Sequence, residues 1–195
     1  MSWRTIHLAD VAATPWRNGG GLSRELVTWP TEGDWRWRVS VAEVVASGPF
    51  SYFEGITRWF AVLKGNGVVL TVRTPSDSAE AGACEHRLTV ADPALCFDGG
   101  ATTHCDVLDG STQDFNLMVR NDCLPARLVR VQGDLTVLAS ATKTIAVYAH
   151  QTGASVRFNS EEMFVPADTL VWRTLSKAAT VHIHAEHALW MELLA

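Results

Sequence analysis

Apolar residues in this chain return at every second position wherever a pattern can be read, and that alternation leaves room for little besides β-structure. The clearest case is Trp35-Arg36-Trp37-Arg38-Val39-Ser40-Val41. As a strand it puts Trp35, Trp37, Val39 and Val41 on one face and Arg36, Arg38 and Ser40 on the other, so one face is core and the other is wet or lines a pocket. The Val-rich continuation to Val45 reads as strand too. Further strands are predicted at 59–63, 67–73, 86–90, 113–119, 126–131, 135–139, 144–149, 154–158, 169–173, 180–184 and 189–193. All are short, rich in Val, Leu, Thr and Trp, and bounded by Gly, Asp, Asn or Pro.

Turn signals punctuate these runs at Gly65-Asn66-Gly67, Gly99-Gly100, Asp109-Gly110, Gly133-Asp134 and Gly153. Their regular spacing predicts an antiparallel sandwich or barrel. A length of 195 residues suits one large β domain or two fused small barrels. We expect a single compact body over 1–195, with two β units meeting near 121–125. The polar stretch 74–82 reads as an exposed hairpin loop or excursion.

Composition narrows function by exclusion. The chain is 47% hydrophobic and 19% charged, the balance of a folded body. Its net charge is −5 and its basic residues are scattered, so nucleic acid is not an expected partner. The N-terminal run Met1–His7 lacks the apolar stretch and cleavage site of a signal peptide, and no later segment is apolar enough to span a bilayer. The expected setting is a soluble, cytoplasmic one without membrane attachment. Cys84, Cys96, Cys105 and Cys123 form no C-x-x-C and are expected to be reduced core or near-core thiols.

Four segments offer chemistry. In Trp16-Arg17-Asn18-Gly19-Gly20-Gly21-Leu22-Ser23-Arg24-Glu25, three glycines let the backbone approach a ligand or aim N–H groups at an anion, with Asn18 and Arg24 as side-chain donors. The same run also reads as a tight turn into a strand. Gly48-Pro49-Phe50-Ser51-Tyr52-Phe53 leads to Arg58 at the start of a strand, where its planar fork can reach a carboxylate or simply cover Trp59. Along 114–119, Asp114, Asn116 and Met118 share a face, which makes it either a ligand wall or an internal hydrogen-bond network. Finally, His182 and His184 alternate onto one strand face as metal-ligand candidates, but a site would need Glu186 or His187 to turn back.

With these segments in hand, the sequence resembles the HutD/Ves family of double-cupin proteins. The likeness rests on Trp16–Gly21 with Ser23–Glu25, on Trp37–Ala42 with Gly48–Phe53 and Arg58, and on Asp114–Arg120. Those blocks span residues 15 to 120. The resemblance implies an all-β bicupin associated with histidine utilisation or stress response, and a pocket for a small acidic compound such as formylglutamate or urocanate. It places Asn18, Arg24, Arg58 and Asn116 around that pocket, to which the residues themselves add Trp16 and Asp114. Gly100 and Asn121 depart from the family pattern. The usual first-barrel metal ligands of cupins are absent, with Phe50, Tyr52 and Phe53 in that region, and no cofactor is expected.

Three readings follow. One is a module that senses or buffers a small carboxylate. Another is a cupin isomerase, hydrolase or dioxygenase, using His104 or Asp114 as base or a metal on His182 and His184. The third, compatible with either, is a homodimer formed through β edges or surface tryptophans.

Overall fold

The computed structural model describes residues 2–30, 33–74 and 82–194. Its strands are β1 Arg4–His7, β2 Thr14–Pro15, β3 Gly21–Trp29, β4 Trp37–Val44, β5 Gly48–Pro49, β6 Ile56–Lys64, β7 Val68–Arg73, β8 Cys84–Leu88, β9 Leu95–Asp98, β10 Thr102–Val107 and β11 Thr112–Arg120. They continue as β12 Arg127–Ala139, β13 Lys143–Ala149, β14 Ala154–Phe158, β15 Glu161–Val165, β16 Thr169–Thr174 and β17 Ala179–Leu194. No α-helix occurs among the described residues, and no helix there is long and apolar enough to cross a membrane. The all-β double-cupin class expected from the sequence is the fold observed.

The chain divides into two units. The N-terminal unit is Ala12–Asp122; the C-terminal unit is Cys123–Ala195 together with Met1–Val11. Within the first, a six-stranded sheet runs β2-β3-β4-β11-β6-β9 and a four-stranded sheet runs β5-β10-β7-β8. In the second, the sheet order is β1-β16-β13-β17-β14-β15, with β12 also on β17. The first strand therefore belongs to the C-terminal unit, where Arg4–His7 pairs antiparallel with Thr169–Trp172.

The two interiors differ. The C-terminal unit packs an apolar cluster in which Ile145, Val147, Val156, Val181, Ile183 and Trp190 are all at most 1% exposed, and its buried polar side chains, Thr144, His150 and Thr169, include no carboxylate and no guanidinium. The N-terminal unit has a comparable apolar cluster around Phe60, Val62, Val68 and Leu70. It also buries Arg58, Asp114 and Asn116. Ionised or strongly polar side chains are kept inside a fold only where they find partners or serve a ligand, so function is to be sought in this unit.

Several sequence expectations are corrected. Trp35 lies before β4 rather than in it. The strands expected at 126–131 and 135–139 are one, because the chain runs straight through Gly133 (φ +90°) where a turn was expected, with Gln132 opposite the two residues Glu186 and His187 in a bulge of β17. Those at 180–184 and 189–193 also fuse into β17, since no Gly, Pro, Asn or Asp interrupts residues 179–194. Glu186 and His187 consequently continue the strand. Cys84 and Cys96 are exposed, and only Cys105 and Cys123 are buried thiols. The loop expected at 74–82 falls almost wholly outside the described residues.

Candidate functional site

Three strands side by side build a graded inner wall in the N-terminal unit. Strand β11 pairs with β4 on one side and β6 on the other, so inward residues align in rows. The first row is Arg38, Met118 and Arg58; the second is Ser40, Asn116 and Phe60; the third is Ala42, Asp114 and Val62. Charge thus gives way to a neutral polar row, and then to an apolar row interrupted by one carboxyl. Strand β3 extends the second row with Glu25 and the third with Ser23. Above this wall opens a cavity of about 660 Å³, lined among others by Trp16, Asn18, Arg38, Phe50, Phe53, Arg58, Asn116 and Met118. That is the size of a small-metabolite site.

Arg58 dominates it. The residue is 5% exposed, its Nη2 donates to Asn116 Oδ1 at 2.9 Å, and its Nη1 reaches only weakly toward the Ser51 carbonyl at 3.5 Å. Rings of Phe50, Phe53 and Phe97 surround the guanidinium carbon at 5.1–5.6 Å. These cation–π contacts recover part of the hydration lost on burial. Among the described residues no carboxylate pairs with Arg58, and its Nε has no partner. Burial, followed by repulsion from Arg38, lowers its pKa to about 10.

Arg38 is the second cation. It donates to Met118 Sδ at 3.0 Å and stands 3.4 Å from Glu25 Oε2, a carboxylate that is itself 44% exposed. Its guanidinium lies 5.3 Å from the same Phe53 ring that Arg58 approaches at 5.6 Å, so the two cations flank one aromatic side chain. Among the described residues the pocket is thus lined by three arginines, Arg17, Arg38 and Arg58, against one partly solvated rim carboxylate, Glu25. Asn116 spends its carbonyl oxygen on Arg58, which leaves its NH2 group to offer a ligand.

Asp114 is 0% exposed and sits below these rows. Its Oδ2 accepts from the Thr112 hydroxyl at 2.7 Å, while Oδ1 is buried without a hydrogen bond. Burial pushes the carboxyl up to about 7, with the Thr112 bond opposing the shift.

The glycine-rich loop supplies the mouth. Trp16 Nε1 donates to Ser23 Oγ at 2.8 Å, and the indole meets Phe50 edge-on. Asn18 lines the cavity, but its Oδ1 already accepts the Gly20 N–H at 3.0 Å, and the Gly19 N–H goes to the Trp16 carbonyl. Those amides close a turn and are not free for an anion. Gly21 is required for another reason: a Cβ there would lie 2.3 Å from the Glu43 carbonyl oxygen of β4. Gly21→Ala should accordingly push β3 from β4 and cost roughly 1–3 kcal/mol in thermal denaturation. Unchanged stability would show that the strands can separate freely.

Not every predicted residue reaches the pocket. Asn18, Trp16, Arg58 and Asn116 line it, and Asp114 lies beneath it. Arg24 does not: it faces the other side of β3 from Ser23 and Glu25 and is spent on Glu43, 2.7 Å away. His104 is half exposed and pairs with Asp106 on the outer face of β10, so it does not meet Asp114. His182 and His184 share a partly exposed sheet face, each with its own partner, Thr136 and Asp134 at 2.9 Å. Among the described residues no three His, Cys, Asp or Glu side chains group as metal ligands. Arg38 was the cation missing from the expected set. Its signal was already present in the alternation that put it with Ser40 opposite the tryptophans.

Comparison with known proteins adds four findings. The family model HutD matches residues 8–191. The chain is 32% identical over 160 residues to an uncharacterized 21.2 kDa protein in the hutC 3' region of Pseudomonas putida, covering 81% of this chain and 79% of that one. Among solved structures, HutD from Pseudomonas fluorescens SBW25 superposes with TM-score 0.80 at 23% identity, over 99% of this chain and 98% of the other. An oxalate decarboxylase from Lactobacillus farciminis reaches TM-score 0.66 at 12% identity, over 97% and 85%, a likeness of cupin fold alone.

Proposed function

The chain belongs to the HutD family, and on that premise we propose that its N-terminal unit is a receptor for a small carboxylate, which it senses or buffers. The observation that carries this reading is Arg58, a buried guanidinium held by an amide and three aromatic rings, with no carboxylate paired to it among the described residues. A fold stabilised by burial alone gains nothing from such a group. An arriving carboxylate supplies the missing counter-charge, in charge-assisted hydrogen bonds worth roughly 1.5–3 kcal/mol each. Arg38 adds a second positive charge, and Phe50, Phe53 and Met118 give an apolar stem something to pack on.

The proposed ligand is an acidic intermediate of histidine breakdown, formylglutamate or a urocanate-like acid. The hut region in the name of the Pseudomonas putida relative and the formate condition of the solved HutD structure support this choice. An enzymatic role would need a base at the pocket wall. Of the candidates, His104 faces away from it, His182 and His184 are not among its residues, Asp114 lies fully buried below the lining, and Glu25, which does line it, stands against Arg38.

A thermal-shift comparison tests the reading. Formate, N-formyl-L-glutamate, urocanate and glutamate are each added beside the corresponding methyl ester or amide. A carboxylate present at about 100 times its Kd should stabilise the fold by roughly 2.7 kcal/mol. The neutral analogues should leave the melting temperature unchanged. If no carboxylate in the series raises it, the reading is wrong.

A further inference from the structure

The N-terminal unit buries a carboxyl that carboxylate binding does not use directly. Asp114 stands one row below Asn116 on the same inward face, between Ala42 of β4 and Val62 of β6. It is completely buried, with Oδ1 lacking any hydrogen bond. From β10 it faces the thiol of Cys105, also 0% exposed, which burial together with Asp114 and Asp106 pushes up to about 12 and so keeps neutral. The charged groups of the surrounding elements are few. Arg38 on β4 and Arg58 on β6 stand two rows above, and Glu25 on β3 lies at the rim. Asp106 projects half exposed from the outside of β10, Glu43 is engaged with Arg24 on the far side of the sheet, and Lys64 ends β6.

A carboxylate that settles on Arg58 and Arg38 brings a second negative charge toward Asp114, within an interior that screens poorly. Two carboxylates cannot both stay charged at that range without loss. We infer that occupation of the pocket is coupled to a proton on Asp114: a bound carboxylate drives Asp114 to the neutral form, and ionised Asp114 weakens binding. The inference rests on the carboxylate-receptor reading. The Arg58 guanidinium reaches down to Asn116, one step of about 7 Å along the strand face from Asp114, and at roughly 7–10 Å in an effective dielectric near 20 the repulsion amounts to roughly ten- to fifty-fold in affinity. Burial already lifts the Asp114 carboxyl to about 7, so the response falls around neutral pH. By linkage, affinity is full below that pH and declines as pH rises through it.

Calorimetric titration of the intact protein with N-formyl-L-glutamate and, separately, formate decides the matter, since neither probe titrates above pH 6. Titrations in two buffers of different ionisation enthalpy count protons. The expected result at pH 8 is uptake of more than half a proton per ligand bound, with Kd rising about tenfold or more between pH 6 and pH 9. Asp114→Asn should bind with no proton uptake and a flat pH profile. Should that variant fail to fold, the proton count and pH profile of the wild-type protein decide alone. Arg58-dependent binding with no proton uptake and a flat profile overturns the coupling and leaves the receptor reading standing. Failure of either probe to bind at any pH overturns both.

Discussion

Arg58→Met should weaken carboxylate binding severely and at the same time make the protein harder to unfold. Both effects follow from one fact, that the guanidinium is 5% exposed and has no anionic partner among the described residues. The bound carboxylate loses at least two charge-assisted hydrogen bonds, so affinity should fall by roughly a hundredfold or more. In the absence of ligand the substitution removes a desolvated charge that costs several kcal/mol to bury. It replaces that charge with an unbranched apolar chain among Phe50, Phe53 and Phe97. Loss of a partner for Asn116 Oδ1 offsets part of the gain, leaving a net stabilisation of about 1–3 kcal/mol. Titration calorimetry and thermal denaturation of the same preparation check both halves. A variant that binds as well as the parent and melts lower would mean that Arg58 is there to hold the fold.

Asp114→Asn is expected to stabilise the protein in a pH-dependent way. Burial raises the folded-state carboxyl from 3.8 to about 7, which means the folded protein holds the proton more tightly than the unfolded chain does. The stability Asp114 contributes in its protonated form is therefore complete below about pH 4. It is lost progressively as pH rises from about 4 to 7, on the order of 4 kcal/mol in all, and changes no further above that. Asparagine keeps an oxygen for the Thr112 hydroxyl and cannot ionise. In urea denaturation the advantage of the variant should thus widen by about 2–3 kcal/mol between pH 5 and pH 8. A constant difference across that range would show that the carboxyl is ionised in the fold or reached by water.

The same residues show what the sequence made legible and what it did not. Alternation alone placed Arg38 and Ser40 opposite Trp37, Val39 and Val41, and Asp114, Asn116 and Met118 on one face, because side-chain direction in a strand depends on nothing but parity. Parity cannot say which strands are neighbours. That Arg38 and Arg58 flank the same methionine depends on β11 lying between β4 and β6, a pairing of distant segments that no local pattern encodes. The misplacement of Arg24 has the reverse cause. Its family context pointed inward, whereas its parity with respect to Ser23 and Glu25 points outward, and parity prevails. Turn residues were similarly ambiguous: Gly133-Asp134 has the composition of a hairpin turn, yet pairing with β17 before and after it holds the chain straight and leaves the glycine beside a bulge of β17.

The central claim is that a carboxylate completes the buried charge of Arg58, and a crystal structure grown with N-formyl-L-glutamate tests it most directly. The account predicts a ligand carboxylate about 2.8 Å from the Arg58 guanidinium nitrogens, with Asn116 still on the same side chain and the apolar stem against Phe50 or Phe53. A ligand held elsewhere on the protein, with Arg58 still bonded only to Asn116 and Ser51, would contradict it.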